Sequence, residues 1–191
     1  MTYLSAQMQI NAKTPLQSLI LPGWGEQTLG ESKRAQSFFI REAAIWLIYI
    51  GGKKTSNWYE SDYKAFAELH SNVDMEGKDY LFAVNLGHYD SFEQYNDTKE
   101  RQRLVRDKYS EDKGFEWRWD NTDNRIKFDE MRIKSVIYDK YATFAVGGLI
   151  LHRLVSLFDV IYLQRTNLQI NLEPQLNPGD GSLKLNFSYF Y

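Results

Sequence analysis

Residues 141–163 read YATFAVGGLILHRLVSLFDVIYL, and the fold turns on whether this apolar run crosses a bilayer or fills a watery core. A helix of about 20 residues spans the ~30 Å of bilayer hydrocarbon, so the run is long enough. It also carries His152, Arg153 and Asp159. A charge near the bilayer centre costs about 2.5 to 3.5 kcal/mol, whereas each strongly apolar residue contributes only a few tenths. Alone, the segment would insert only marginally. A second run, Phe38 to Ile50, has the same character and contains Arg41 and Glu42. Ionised groups at depth are tolerated when they face partners. The two runs therefore predict antiparallel helices in which Glu42 faces Arg153 and Arg41 faces Asp159, with Gly147 and Gly148 letting the backbones approach. In a soluble bundle the same pairs would lie at the rim, their heads in water.

The helical pattern around the first run begins at Thr122 and continues to Gln164. Ile133, Ile137, Tyr141, Phe144, Gly148, Leu151, Val155, Phe158 and Tyr162 make one stripe at three- and four-residue steps. Upstream, Thr14-Pro15 predicts a short helix with Leu16, Leu19 and Ile20 on its apolar face. Leu21-Pro22-Gly23-Trp24-Gly25 stops it in a tight turn with Trp24 at the tip. The helix from Glu31 ends at Gly51-Gly52, with Lys53 and Lys54 set favourably against its dipole.

Between the runs the chain is polar. Asn57 with Glu60 predicts a capped surface helix carrying Tyr59, Tyr63, Phe66 and His70, and the mixed charges of Asp97 to Lys113 predict a solvated face. Phe115, Trp117 and Trp119 alternate with Glu116, Arg118 and Asp120, as in a half-buried extended segment. Packing against helices is the ordinary role for such tryptophans; binding a ring-shaped ligand is the sharper one. After Thr166, Leu168, Ile170 and Leu172 alternate, Pro178-Gly179-Asp180-Gly181 supplies a turn, and Leu183 to Tyr189 alternate again, predicting a β-hairpin with one apolar face.

Composition narrows the classes of function. The chain has 191 residues, 23 basic against 25 acidic, which argues against nucleic acid. It contains no cysteine, which removes disulfides and thiolate chemistry. Aromatic residues make up 15% of it, a richness that suits interfaces and lipid–water boundaries as well as cores. His70, His88 and His152 stand in no metal-ligand spacing, and neither a phosphate loop nor a nucleophile elbow is present. No cofactor, metal or small-molecule ligand is expected. Met1 to Gln7 is not a signal peptide as written, although Leu4-Ser5-Ala6 would fit the tail of one begun upstream.

Ser18 with Leu21-Pro22-Gly23-Trp24-Gly25-Glu26-Gln27, Gly30, Arg34-Ala35 and Glu42 resembles the opening of a widespread bacterial family of uncharacterised envelope proteins with a Pro-Gly-Trp-Gly turn. Trp117-Arg118-Trp119-Asp120, Arg125, Arg132, Gly147-Gly148, Leu154-Val155-Ser156 and Asp159 resemble its second half. The likeness covers most of Ser18 to Arg165. One departure is His152-Arg153, where the family has Asn-Arg. The resemblance implies a Gram-negative envelope location, membrane-associated helices and no catalytic residues.

The sequence therefore predicts a mainly α fold: a helical bundle or helical hairpin with two long apolar helices, a polar helical middle section and a C-terminal β-hairpin. We read it as a single domain, with the turn motif and apolar helix over 12–52, the middle section over 53–121, the second helix over 122–165 and the hairpin over 166–191. The expected function is that of a non-enzymatic, membrane-associated envelope protein whose partners are the lipid bilayer and another envelope protein. The alternatives are a soluble helical interaction domain with the apolar helices as its core and, with less weight, an envelope hydrolase. The candidate structural or interaction residues are Pro22, Gly23, Trp24, Gly25, Arg41, Glu42, Trp117, Trp119, Asp120, Arg153, Ser156 and Asp159.

Overall fold

The periodic stretch beginning at Thr122 folds, in the computed structural model, as one uninterrupted helix of 45 residues, α6 (Thr122–Thr166). Residues 12–110 and 114–166 are described in full; for Gln169–Leu176 and Leu183–Phe190 the backbone alone is described. Before α6 come α1 (Lys13–Ile20), α2 (Trp24–Thr28), α3 (Ser32–Ser71), α4 (Tyr80–His88) and α5 (Phe92–Arg101). The fold is mainly helical, and no strand occurs within residues 12–110 or 114–166. With no side chain described beyond Thr166, the expected apolar-faced hairpin is not supported as an element of this fold.

The helix starts follow ordinary capping chemistry. The Asp79 carboxylate accepts from Phe82 N (2.8 Å), Ser91 Oγ from Gln94 N (3.2 Å) and Asn121 Oδ1 from Asn124 N (2.8 Å), each satisfying a backbone donor that a first helical turn leaves free. α3 departs from expectation, since it runs for 40 residues straight through Gly51-Gly52 and Asn57. Glycine costs about 1 kcal/mol against alanine inside a helix, and the gain that offsets it is visible at Gly52. A Cβ there would lie 3.0 Å from the Tyr138 carbonyl oxygen and 3.2 Å from the Ala142 Cβ, so the missing side chain lets α3 and α6 touch. The close approach expected at Gly147 and Gly148 is not found; Gly147 has open space and Gly148 meets only Ile45, at 3.7 Å.

The chain forms two compact units, Leu47–Val146 and Met1–Trp46 with Gly147–Tyr191. The Leu47–Val146 unit is built conventionally. Tyr63, Ala67, Val73, Met75, Phe82, Leu86, Phe92, Tyr95, Trp117, Trp119 and Phe128 form its buried core. Rings meet edge to face, as at Phe82–Trp117 (5.5 Å) and Tyr63–Phe128 (5.4 Å), the geometry that the ring quadrupoles favour. Its α3 and α6 halves are antiparallel, with Lys53 against Asp139 (2.6 Å), Ser56 against Ser135 (3.3 Å) and Tyr63 against Phe128.

The other unit contains α1, α2, the first turns of α3 and the last turns of α6. Here too the long helices are antiparallel, with Arg34 against Asp159 and Glu42 against Arg153. Ala35, Phe38, Leu149, Val160 and Leu163 are buried in it, and an unusual share of polar groups is buried beside them. Thr14, Ser18, Glu26, Glu42, His152 and Ser156 are buried, whereas Leu16, Ile20, Leu21, Trp24, Ile40, Leu151, Val155, Phe158 and Tyr162 are exposed.

Candidate functional site

The Leu21-Pro22-Gly23-Trp24-Gly25 turn builds the first half of that polar interior. Gly23 adopts φ +100°, a left-handed conformation that side chains resist, and a Cβ on it would stand 2.7 Å from the Ala35 carbonyl oxygen. A Cβ on Gly25 would stand 2.7 Å from both the Thr14 carbonyl oxygen and Val160 Cγ2. The turn thus presses its backbone against α3, α1 and α6, with Pro22 fully buried beneath it. Its amides are satisfied by hydroxyls: Gly23 N donates to Ser156 Oγ and Gly25 N to Ser18 Oγ, both at 3.1 Å. Ser156 Oγ donates onward to Glu26 Oε1 (2.7 Å) and Ser18 Oγ to Glu26 Oε2 (2.9 Å). Glu26 is wholly enclosed. Each serine therefore accepts from the backbone and donates to one oxygen of the same carboxylate, closing a loop of buried polar groups.

The second half lies between α3 and α6. The Glu42 carboxylate accepts from Arg153 Nη2 (2.7 Å), His152 Nδ1 (3.0 Å) and Trp46 Nε1 (3.1 Å). Arg153 also donates to the Leu149 carbonyl oxygen (3.0 Å), and the Phe38 ring lies 5.3 Å from that of His152. The expected Glu42–Arg153 contact is present. The expected Arg41–Asp159 contact is corrected: Asp159 is held by Arg34 at 2.7 Å, while Arg41 donates to Ser37 Oγ (2.6 Å) and stacks over Phe38 at 4.9 Å. The reason is level along the helices. Asp159 lies six residues, about 9 Å of rise, beyond Arg153 on α6, and on the antiparallel α3 that level falls well before Glu42, near Arg34, whereas Arg41 is only one residue from Glu42.

α1 turns Thr14, Pro15 and Ser18 inward and presents Leu16 and Ile20 of its apolar face outward, 56% and 69% exposed. Trp24 begins α2 and is 43% exposed. The α6 stripe behaves alike: Ile133, Ile137, Tyr141, Phe144, Leu151, Val155, Phe158 and Tyr162 all point outward, while Phe128, Ser135, Ala142, Leu149, His152, Ser156 and Val160 face in. Among the described residues α6 alone is long and apolar enough to cross a bilayer, and only 28% of its most apolar stretch is buried. α3 does not meet that standard.

The remaining candidates, Trp117, Trp119 and Asp120, belong to the conventional unit. Trp117 Nε1 donates to the Tyr89 carbonyl (3.0 Å) and Trp119 Nε1 to the Leu86 carbonyl (2.8 Å), satisfying acceptors around the end of α4. The segment between them bonds the end of α3 through Arg118 N to Ser71 O and Asp120 N to His70 O, and reaches α5 through Phe92 N to Trp117 O. Asp120 accepts from His70 Nδ1 at 2.7 Å and from Asn124. These bonds, His70 first, hold its carboxyl below the usual range. Burial and the indole bonds give both tryptophans packing roles.

Sequence reasoning singled out neither Glu26 nor Ser18 nor Arg34 as site residues, and it took His152 as merely structural. The available signal was spacing, since Ser18 and Glu26 flank the turn that Ser156 caps. No protein-family model, curated protein or solved structure matches the chain. Among the described residues no group of His, Asp and Glu side chains is arranged to hold a metal. In this interior Glu42 and Asp159 each meet an arginine, Glu26 is held by serine hydroxyls, and His152 Nε2 and Asp159 Oδ2 are buried without a hydrogen-bond partner among the described residues.

Proposed function

We propose that this chain is a non-enzymatic, membrane-associated protein of the bacterial envelope, with the polar-cored unit set among lipid. The observation that carries the reading is the mixed interior of one unit: carboxylates, serines and a histidine are buried beside Phe38, Leu149, Val160 and Leu163, while Ile40, Leu151, Val155 and Phe158 face out. In hydrocarbon this is the economical arrangement, because lipid solvates apolar side chains and nothing there solvates an unpaired charge. α6 agrees: among the described residues it is the one helix long and apolar enough to cross a bilayer, and only 28% of its most apolar stretch is buried.

The envelope location rests on the resemblance of the turn and Leu-Val-Ser motifs. The middle section and the C-terminal segment, as a hairpin, would engage a second envelope protein. Carbonate washing of native membranes tests the proposal: retention in the membrane pellet is expected, with detergent needed for monodispersity. A protein released by carbonate and monodisperse without detergent would overturn it in favour of a soluble interaction domain.

A further inference from the structure

The geometry points to a ligand site in the Leu47–Val146 unit: a cleft that takes a small monocarboxylate with an apolar body, its carboxylate oxygens at Arg132, Tyr63 and Tyr80. The inference stands apart from the membrane reading, because every residue it uses belongs to that one unit. The cleft has a volume of about 360 Å³ and is walled by α3, the loop between α3 and α4, α4 itself and α6. That is the size of ordinary small-molecule sites.

Its buried side offers hydrogen-bond donors. Arg132 is only 5% exposed, yet it lines the cleft. Asp129 holds it from behind. Arg132 Nε and Nη2 both donate to Asp129 Oδ1 (2.9 and 2.6 Å), and that oxygen packs against Gly87 of α4, outside the lining. Arg132 Nη1 donates to the Tyr80 hydroxyl (2.5 Å), and a guanidinium has more N–H groups than these bonds use. Tyr80 accepts there and keeps its own proton for another partner.

Tyr63 supplies the second, independent observation. It is 5% exposed, its ring fixed edge to face on Phe128 at 5.4 Å. Its hydroxyl lies among Glu60, Arg132 and Tyr80 and makes no hydrogen bond among the described residues. Burial, before any neighbouring charge, pushes this phenol up to about 12, so at neutral pH it carries a proton that nothing accepts. A buried polar group is ordinarily satisfied, and a ligand oxygen in the cleft would satisfy this one. Ser56 and Ser135 are spent on each other (3.3 Å) and on the Ser56 carbonyl (3.0 Å). The open donors are therefore the two phenols and the guanidinium.

Charge selects a monoanion. Around the mouth, Lys53 pairs with Asp139 and Lys64 with Glu60, both at 2.6 Å, and Lys78 is matched by its neighbour Asp79. Arg132 is the one cation left unmatched within the lining. A carboxylate brings the single charge and the paired oxygens that a guanidinium and two phenols can hold, whereas a phosphate dianion brings a second charge that the lining does not offset. Met75, Ala83 and Val136 add apolar wall for the rest of the molecule.

The test uses the full chain in mild detergent, with detergent alone as the blank, and follows benzoate, its neutral counterpart benzamide and phenyl phosphate by saturation-transfer NMR. Expected is saturable binding of benzoate, with benzamide and phenyl phosphate each several-fold weaker. Tyr63→Phe deletes a hydroxyl that bonds to nothing in the free protein. Its melting temperature should match that of the parent, while benzoate binding weakens about tenfold through loss of a hydrogen bond to a charged group. No saturable benzoate binding, benzamide binding equal to benzoate, or undiminished binding by Tyr63→Phe would each overturn the site. Tighter binding of phenyl phosphate would overturn the choice of a carboxylate. A lowered melting temperature of Tyr63→Phe without ligand would overturn the argument from its hydroxyl, by showing that group engaged within the protein.

Discussion

Replacing one small buried hydroxyl should cost this protein more than removing a whole phenyl ring. Ser156 is completely enclosed; it accepts from Gly23 N and donates to Glu26 Oε1. Ser156→Ala leaves a buried amide and a buried carboxylate oxygen each without a partner, at about 1–3 kcal/mol apiece and more for the charged group, so a loss of about 2–5 kcal/mol is expected. Phe158, two residues away, is 65% exposed. In a watery core, truncating a phenylalanine costs about 3–5 kcal/mol. On a lipid-facing surface the ring meets lipid before and after unfolding within the bilayer, and the expected change is about 0.5 kcal/mol, that of an ordinary surface substitution. Thermal or SDS-titration unfolding of both variants in one mild detergent decides the matter. A Phe158→Ala loss equal to or larger than that of Ser156→Ala would refute the reasoning and return Phe158 to a conventional interior.

In a double-mutant cycle, Glu42→Gln with Arg153→Gln should show coupling of more than about 1 kcal/mol, because they share a close, mostly buried ion pair. The Arg41→Gln with Asp159→Asn cycle should be additive within about 0.5 kcal/mol, since Asp159 is held by Arg34 instead. Gly51→Ala, with open space around it, should stabilise α3 by up to about 1 kcal/mol, whereas Gly52→Ala should destabilise by about 1–3 kcal/mol through overpacking against Tyr138 and Ala142; thermal midpoints of the pair report the difference in sign. Asp120 has its carboxyl lowered on folding by His70, so its contribution is present above the unfolded carboxylate pKa and is lost as pH falls through the lowered value. Asp120→Asn should therefore flatten the acid limb of a melting-temperature profile and leave the basic limb unchanged.

Much of the helical framework was legible in the sequence because periodicity reports phase directly. The stripe from Ile133 to Tyr162 defined α6, and the opposite charges of Glu42 and Arg153 named their own contact. Periodicity does not say which side of a stripe faces the protein. Leu16 and Ile20 could be placed on one apolar face but not inward or outward, and they lie outward because Ser18 and Glu26 claim the interior. Gly51-Gly52 misled for a related reason. Glycine ends a helix only when nothing repays its backbone entropy, and the contact with Ala142, 90 residues away in the chain, is invisible locally. Arg41 was given a partner by charge alone, without the rise per residue that sets Asp159 about 9 Å from the level of the Glu42–Arg153 pair.

The five tryptophans divide into a buried pair and an exposed three. Trp117 and Trp119 are 3% and 6% exposed, with their indoles bonded to carbonyls, whereas Trp24, Trp46 and Trp58 are each more than 40% exposed. The chain thus carries its own pair of emission reporters: a sheltered population sensing only the aromatic core, and a peripheral one whose colour and quenching follow the surrounding medium. Partial melting confined to the aromatic-cored unit would shift the emission of Trp117 and Trp119 and leave that of Trp24 and Trp46, which belong to the other unit, in place without any added dye.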